Sequence, residues 1–186
     1  MKINTKDYLK YKFFNSLFLG ISVGSIFTIY SALKPSIYSL GGIFLALFMI
    51  IIAKYYHKIL NINYFYKISM LVEIVILLFI SYFLIFSYSY TTALLVYIGY
   101  QITFVFGSYL IRAETILLKK GKIMSFIDIS KQKGYLLGML ISYFIYKYFE
   151  LFTSITNSQS QVYYLHYFLL LIELLTIYYL KKAFNK

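Results

Sequence analysis

Long apolar stretches, broken only by short polar punctuation, dominate this chain. A bilayer core about 30 Å thick needs about 20 mainly apolar residues per helix. Stretches of that length run at 12–33, 36–56, 65–87, 91–118, 125–149 and 162–180. A chain of 186 residues has too little polar material to wrap six such segments in one water-soluble body. Its charged residues are only 13% of the total, about half the share in ordinary soluble domains. The sequence therefore predicts an all-α membrane protein with six transmembrane helices in a single domain. The first stretch is too long for a secretory leader and lacks a convincing small-x-small cleavage site, so it is expected to remain in the mature protein.

The punctuation is specific. Pro35, the only proline, biases Lys34 towards extended backbone and suits a tight turn. Asn61-Ile62-Asn63 separates the second and third stretches, and 87–92 separates the third and fourth. Ser125-x-x-Asp128 has the form of a capping box and predicts the start of the fifth helix. The segment 153–161 is the longest uncharged polar loop.

A formal charge of +12 invites a nucleic-acid reading, but a nucleic-acid binder needs a soluble body to display a basic face. The charges instead follow the spans. Of 18 Lys and Arg, 15 lie in the amino-terminal tail, the second-to-third loop, the fourth-to-fifth loop and the carboxyl tail. Only Lys34 and Lys147 fall on the opposite side, with Arg112 inside the fourth span. Basic loops favour the cytoplasm, so both termini are expected inside, which requires an even number of crossings. Tyrosines at 8, 11, 55, 56, 88, 90, 163, 164, 178 and 179 fall where interfacial belts are expected.

Several chemistries are excluded. Without Cys there is no cysteine catalysis, thiolate metal site or disulfide. Gly-x-Ser-x-Gly and His-Glu-x-x-His are absent, and the six acids are scattered rather than grouped to hold Mg²⁺. No enzymatic activity and no cofactor are expected.

The two halves of the chain show parallel features. Val23-Gly24-Ser25-Ile26 matches Phe106-Gly107-Ser108-Tyr109, and Gly42-x-x-x-Ala46 matches Gly134-x-x-x-Gly138. Tyr64 and Glu73 match Tyr164 and Glu173. The order is preserved, and the first and fourth spans run in opposite directions. This predicts two inverted three-helix repeats, 1–90 and 91–186. Small residues four apart mark the first span (Ser16, Gly20, Gly24, Thr28, Ala32) and the fifth (Ser130, Gly134, Gly138, Ser142). Such stripes allow close helix approach, either within one bundle or against a second one.

The segment 107–142 reads GSYLIRAETILLKKGKIMSFIDISKQKGYLLGMLIS: an arginine in the fourth span, a basic loop, then a fifth span with spaced glycines. With the three-plus-three arrangement, it resembles the amino-terminal half of a major facilitator superfamily transporter. The segment 53–58, AKYYHK, lacks the Asp that the family usually carries there. The resemblance implies alternating access by a half-transporter that needs a second six-span half, either another copy or a separate chain. It also implies that Asn15, Ser22 and Ser25 on the first span, and Gln101, Thr103 and Ser108 on the fourth, line a central cavity.

Charge inside a bilayer is costly, by about 2.5–3.5 kcal/mol per residue on insertion scales, so each case needs a purpose. Glu73 and Glu173 are the candidate proton carriers. Arg112 and Glu114 are candidates for pairing with Asp128, Glu73 or an anionic substrate, and Arg112 also for snorkelling to headgroups. His57 is expected to be solvated, and His166 to sit in the outer belt. The function expected is transport of a small solute with proton coupling. The alternatives are a six-span solute-binding subunit of a multi-component uptake system, or a non-transporting scaffold. Composition rich in Ile, Lys, Asn, Phe and Tyr suggests an AT-rich bacterial genome, hence the cytoplasmic (inner) membrane. The partners expected are the lipid bilayer, a second half and an unknown solute, with no nucleic acid.

Overall fold

A computed structural model describes residues 1–185. The order of elements is β1 (Lys2–Ile3), α1 (Thr5–Tyr30), α2 (Pro35–Lys54), α3 (Tyr56–Ile59), α4 (Ile62–Phe86), α5 (Tyr90–Val105), α6 (Gly107–Leu117), α7 (Gly121–Phe152), α8 (Ser158–Ala183) and β2 (Phe184–Asn185). The chain is all-helical apart from the two terminal strands.

The polar breaks become helix caps. Side-chain oxygens of Asn4, Asn61, Ser89 and Asn157 each accept from backbone N–H groups of the first turns of α1, α4, α5 and α8. These donors have no partner inside the helix. Pro35 opens α2, where its missing N–H costs nothing. The predicted start of the fifth helix is corrected: α7 begins at Gly121, about one turn before Ser125. The Lys120 carbonyl already accepts from Ile123 and Met124, so backbone bonding nucleates the helix without the capping box. The fourth stretch is interrupted at Phe106, whose N–H turns back to the Thr103 and Phe104 carbonyls and separates α5 from α6.

Five segments are long and apolar enough to cross a bilayer: α1, α2, α4, α5 with α6, and α8. This is consistent with a membrane protein. The predicted fifth span lies within α7 and does not reach that standard by composition. Lys122, Asp128, Lys131, Lys133, Lys147 and Glu150 leave 134–146 as its longest charge-free run. Its 32 residues nevertheless extend about 48 Å at 1.5 Å per residue.

In space the helices follow the order α7, α1, α8, α4, α5, α2, with α6 continuing from α5 and α1 also touching α5. α1 and α7 run parallel: the Ser130 hydroxyl donates to the Leu9 carbonyl, and further along Gly138 faces Leu17 and Ile21. α4 and α8 run antiparallel, since Tyr66 meets Phe184 while Phe83 meets His166. β1 and β2 pair antiparallel, and the Asn4 N–H donates to the Ala183 carbonyl at 2.8 Å. The two termini therefore lie at the same end of the bundle.

The small-residue stripes of the first and fifth stretches face each other. A Cβ added at Gly138 would strike the Leu17 carbonyl and come within 3.0 Å of Gly20 Cα; one at Gly134 would strike the Phe13 carbonyl; one at Gly20 would strike the Tyr135 carbonyl. Ser16 and Ser142 are buried in the same region. Gly24 is looser, with only the Tyr146 ring at 3.5 Å. Of the two readings of these stripes, the structure selects contact within one bundle. Gly42 and Gly107, matched to Gly134 and Gly24 by sequence, have open space around them. On α2 the close contact is made by Gly41, against the Tyr97 ring.

α2 has no buried residue although its mean hydropathy of 2.3 is exceeded only by that of α4. A helix apolar on every side and outside the core belongs in a nonaqueous environment.

Candidate functional site: a buried acid cluster

The polar residues of α1 are spaced to share a face. Tyr8, Asn15 and Ser22 recur every seven residues, and Tyr11 and Lys12 lie between the first two. This face points into the bundle, where Glu73 on α4, Glu114 on α6 and Glu173 on α8 are each at most 2% exposed.

Glu114 is fully matched. The Tyr8 hydroxyl donates to Oε1 at 2.6 Å, Lys12 Nζ lies 2.7 Å from the same oxygen, and Lys131 Nζ lies 2.7 Å from Oε2. Two ammonium groups on one carboxylate tie α1, α6 and α7 together near the terminal end. Lys131 also lies 3.8 Å from Asp128, which is at the surface. Lys12 Nζ is 5.4 Å from the ring centres of both Tyr8 and Tyr11, so its charge rests against aromatic faces as well as an acid.

Glu73 is half matched. Its Oε1 accepts from the Tyr11 hydroxyl at 2.7 Å and from Asn15 Nδ2 at 3.1 Å. The Glu173 carboxyl comes up against it from α8. Neither oxygen of Glu173, nor Oε2 of Glu73, has a hydrogen-bond partner among the described residues. Three orphaned carboxyl oxygens in one place are expensive, and they set this pair apart from Glu114.

The helices thus bring together four of the sequence-predicted residues: Glu73, Glu173, Asn15 and Glu114. They separate the others. Ser22 and Ser25 are buried but bond back to the carbonyls of Leu19 and Ser22 in their own helix. Gln101 lines a different groove, between α2 and α5, with Gly41, Phe44 and Tyr97. Arg112 is exposed, lies over the Tyr56 ring and meets neither Glu114 nor Asp128. The helix turn places Glu114 inward and Arg112, two positions away, outward. Two further expectations are corrected. Tyr8 and Tyr11 are core residues rather than belt residues. His166 is buried, stacked at 4.1 Å on Phe83, with Nδ1 at 2.7 Å from the Val162 carbonyl. The Val162 carbonyl lies one turn before His166 in the same helix, within reach of the ring nitrogen, and its second lone pair serves that contact.

Sequence reasoning missed Tyr8, Tyr11, Lys12 and Lys131 as members of the cluster. The signal was the heptad spacing of polar groups on α1 in an otherwise apolar helix, obscured because each residue type is also common at membrane surfaces. Tyr11→Phe is expected to cost about 2 kcal/mol, the usual loss for a hydrogen bond to a charged group. Chemical unfolding in detergent checks this. A Tyr11→Phe protein as stable as wild type would show that Glu73 does not depend on that bond.

Comparison with protein-family profiles, curated proteins and solved structures found no match to this chain.

Proposed function

We propose that the chain is one six-span half of a membrane transporter, moving a small solute by alternating access and coupled to protons through Glu73 and Glu173. Both termini lie on the cytoplasmic side of a bacterial inner membrane, and a second six-span unit completes the path. The observation that carries the proposal is the meeting of two membrane-buried acids with unpartnered oxygens. One proton held between Glu173 and Glu73 Oε2 gives two of the three orphaned oxygens a partner. It also balances the cluster: Lys12 and Lys131 then face two negative charges, on Glu114 and on the singly protonated pair. A buried acid that can gain or lose such a proton is the element a proton-coupled carrier needs.

The helix order supports the inverted repeat. Exchanging α1 with α5–α6, α2 with α7 and α4 with α8 turns the spatial sequence α7, α1, α8, α4, α5, α2 into itself read backwards. Directions agree as well. α1 runs parallel to α7, and α2 runs parallel to α5–α6, where Tyr38 meets Tyr97 and Tyr56 meets Tyr109. The pair at the centre of this exchange, α4 and α8, is the one that carries Glu73 and Glu173. Repeats of this kind are how many carriers build two alternating states. α7, the most charged of the six spans, is shielded along one side by α1.

The test is proton flux in vesicles containing the purified protein and a trapped pH-sensitive dye, challenged with a panel of small amino acids, sugars, nucleosides and organic ions. One class of solute is expected to accelerate collapse of an imposed pH gradient. Glu173→Gln, which preserves shape but cannot carry the proton, is expected to fold normally and abolish the effect. Flux unchanged in Glu173→Gln, or no response to any solute, overturns the proposal.

A further inference from the structure

Arg112 is a full charge within an apolar span. Among the described residues, no carboxylate lies within ion-pair distance of it. It sits on the outer side of α6 in a groove of about 470 Å³ lined by Tyr56, Ser108, Ile111, Thr115 and Ile116. The Tyr56 ring, with its centre 5.7 Å from the guanidinium carbon, holds the group in place. Ser108 lies one helical turn before Arg112 on the same face, and its hydroxyl makes no hydrogen bond among the described residues. Thr115 is already committed to the Ile111 carbonyl. The groove therefore presents a fork of N–H donors and one free hydroxyl, bordered by exposed Ile111 and Ile116.

An exposed, unpaired guanidinium beside hydrocarbon needs an anion. Arginine's planar fork matches phosphate oxygens two at a time. Arg112 lies five residues before the end of α6, about 7.5 Å along the axis, which the side chain can span to reach headgroup depth. Lys119, Lys120 and Lys122 follow directly and mark this as the basic, terminal end of the bundle.

We propose that this groove is a phosphate-binding site for an anionic phospholipid, with Arg112 and Ser108 on the phosphate and the acyl chains along Ile111 and Ile116. The lipid is favoured over a free phosphate ion because the donors border an apolar wall rather than a polar pocket. The proposal requires that the chain lie in a membrane, and is independent of whether it transports anything.

Native mass spectrometry of the purified, delipidated protein tests it, with phosphatidylglycerol and phosphatidylcholine of identical acyl chains added separately. Wild type is expected to prefer phosphatidylglycerol by about tenfold, equivalent to about 1.4 kcal/mol. Arg112→Gln is expected to lose that preference and Arg112→Lys to retain part of it. Lys119→Gln, in the adjoining loop, is expected to retain it in full. The site is overturned if wild type shows no preference, if Arg112→Gln binds phosphatidylglycerol as wild type does, or if Lys119→Gln loses as much as Arg112→Gln. Displacement of phosphatidylglycerol by millimolar inorganic phosphate overturns the lipid assignment in favour of a free anion. A dimer that disappears in Arg112→Gln overturns it in favour of a second copy of the chain. Arg112 is exposed, so these variants are expected to fold; unfolding of both Arg112 variants would overturn the proposal by showing a structural role.

Discussion

Gly138→Val is expected to destabilise the protein by about 3 kcal/mol, the upper end of the range for over-filled interiors. The reason is what the new side chain would meet. At most buried positions an added methyl displaces another side chain, which can rotate away. At Gly138 it meets the Leu17 carbonyl and the backbone of Gly20 and Ile21, and backbone yields only if α1 and α7 move apart. Separation would also weaken the contacts of Gly20 and Gly134, the buried Ser16 and Ser142, and the Ser130 bond to the Leu9 carbonyl. Small-residue contacts of this kind hold helices together where burial from water gives no driving force. Gly42→Val and Gly107→Val are the controls, because both positions face open space and are expected to change stability by less than about 0.5 kcal/mol. Chemical or thermal unfolding in detergent compares the three. Equal effects at all three positions would show that the α1–α7 contact does not depend on glycine.

Glu114→Ala is expected to cost about 3 kcal/mol. Removing one member of a buried ion pair costs about 3–5 kcal/mol, because the remaining charge is left without a partner. The lower end applies, since Lys131 is 29% exposed and can turn to water or Asp128. Lys12, at 13% exposure, cannot. The decisive measurement is a double-mutant cycle with Lys12→Met. Glu114→Ala strands Lys12, whereas Lys12→Met leaves Glu114 with Lys131; the double change removes the stranded ammonium, so the pair is expected to lose about 1 kcal/mol or more less than the sum of the singles. Strict additivity would mean that Lys12 and Glu114 do not depend on each other.

The sequence reading of the site singled out two acids where residue spacing and scarcity combined. Only six acids are present, and two fall at positions that the sequence comparison of the two halves pairs. Glu73 and Glu173 were identified on that basis, and α4 and α8 bring them together. It failed where direction around a helix mattered. Arg112 and Glu114 are two residues apart and share the same expected partners (Asp128, Glu73 or an anion), yet they lie on opposite sides of α6, and only Glu114 faces the cluster. Tyr8, Tyr11 and Lys12 look like membrane-surface residues in any linear reading. They are buried because α4, α6 and α8 close over the amino-terminal turns of α1 and because β1 is clipped to β2.

The sequence by itself determined the helical nature of the chain, most of its breaks and its apolar environment. Each follows from short-range properties: the length of apolar runs, the capping ability of Asn and Ser, the stiffness of proline. Only the tertiary structure decided that the glycine stripes are consumed between α1 and α7, that Glu114 is neutralised by two lysines, and that Glu173 meets Glu73 while Arg112 is turned outward. Those outcomes depend on which faces of different helices meet, and side chains many positions apart become neighbours only when the helices have chosen their partners.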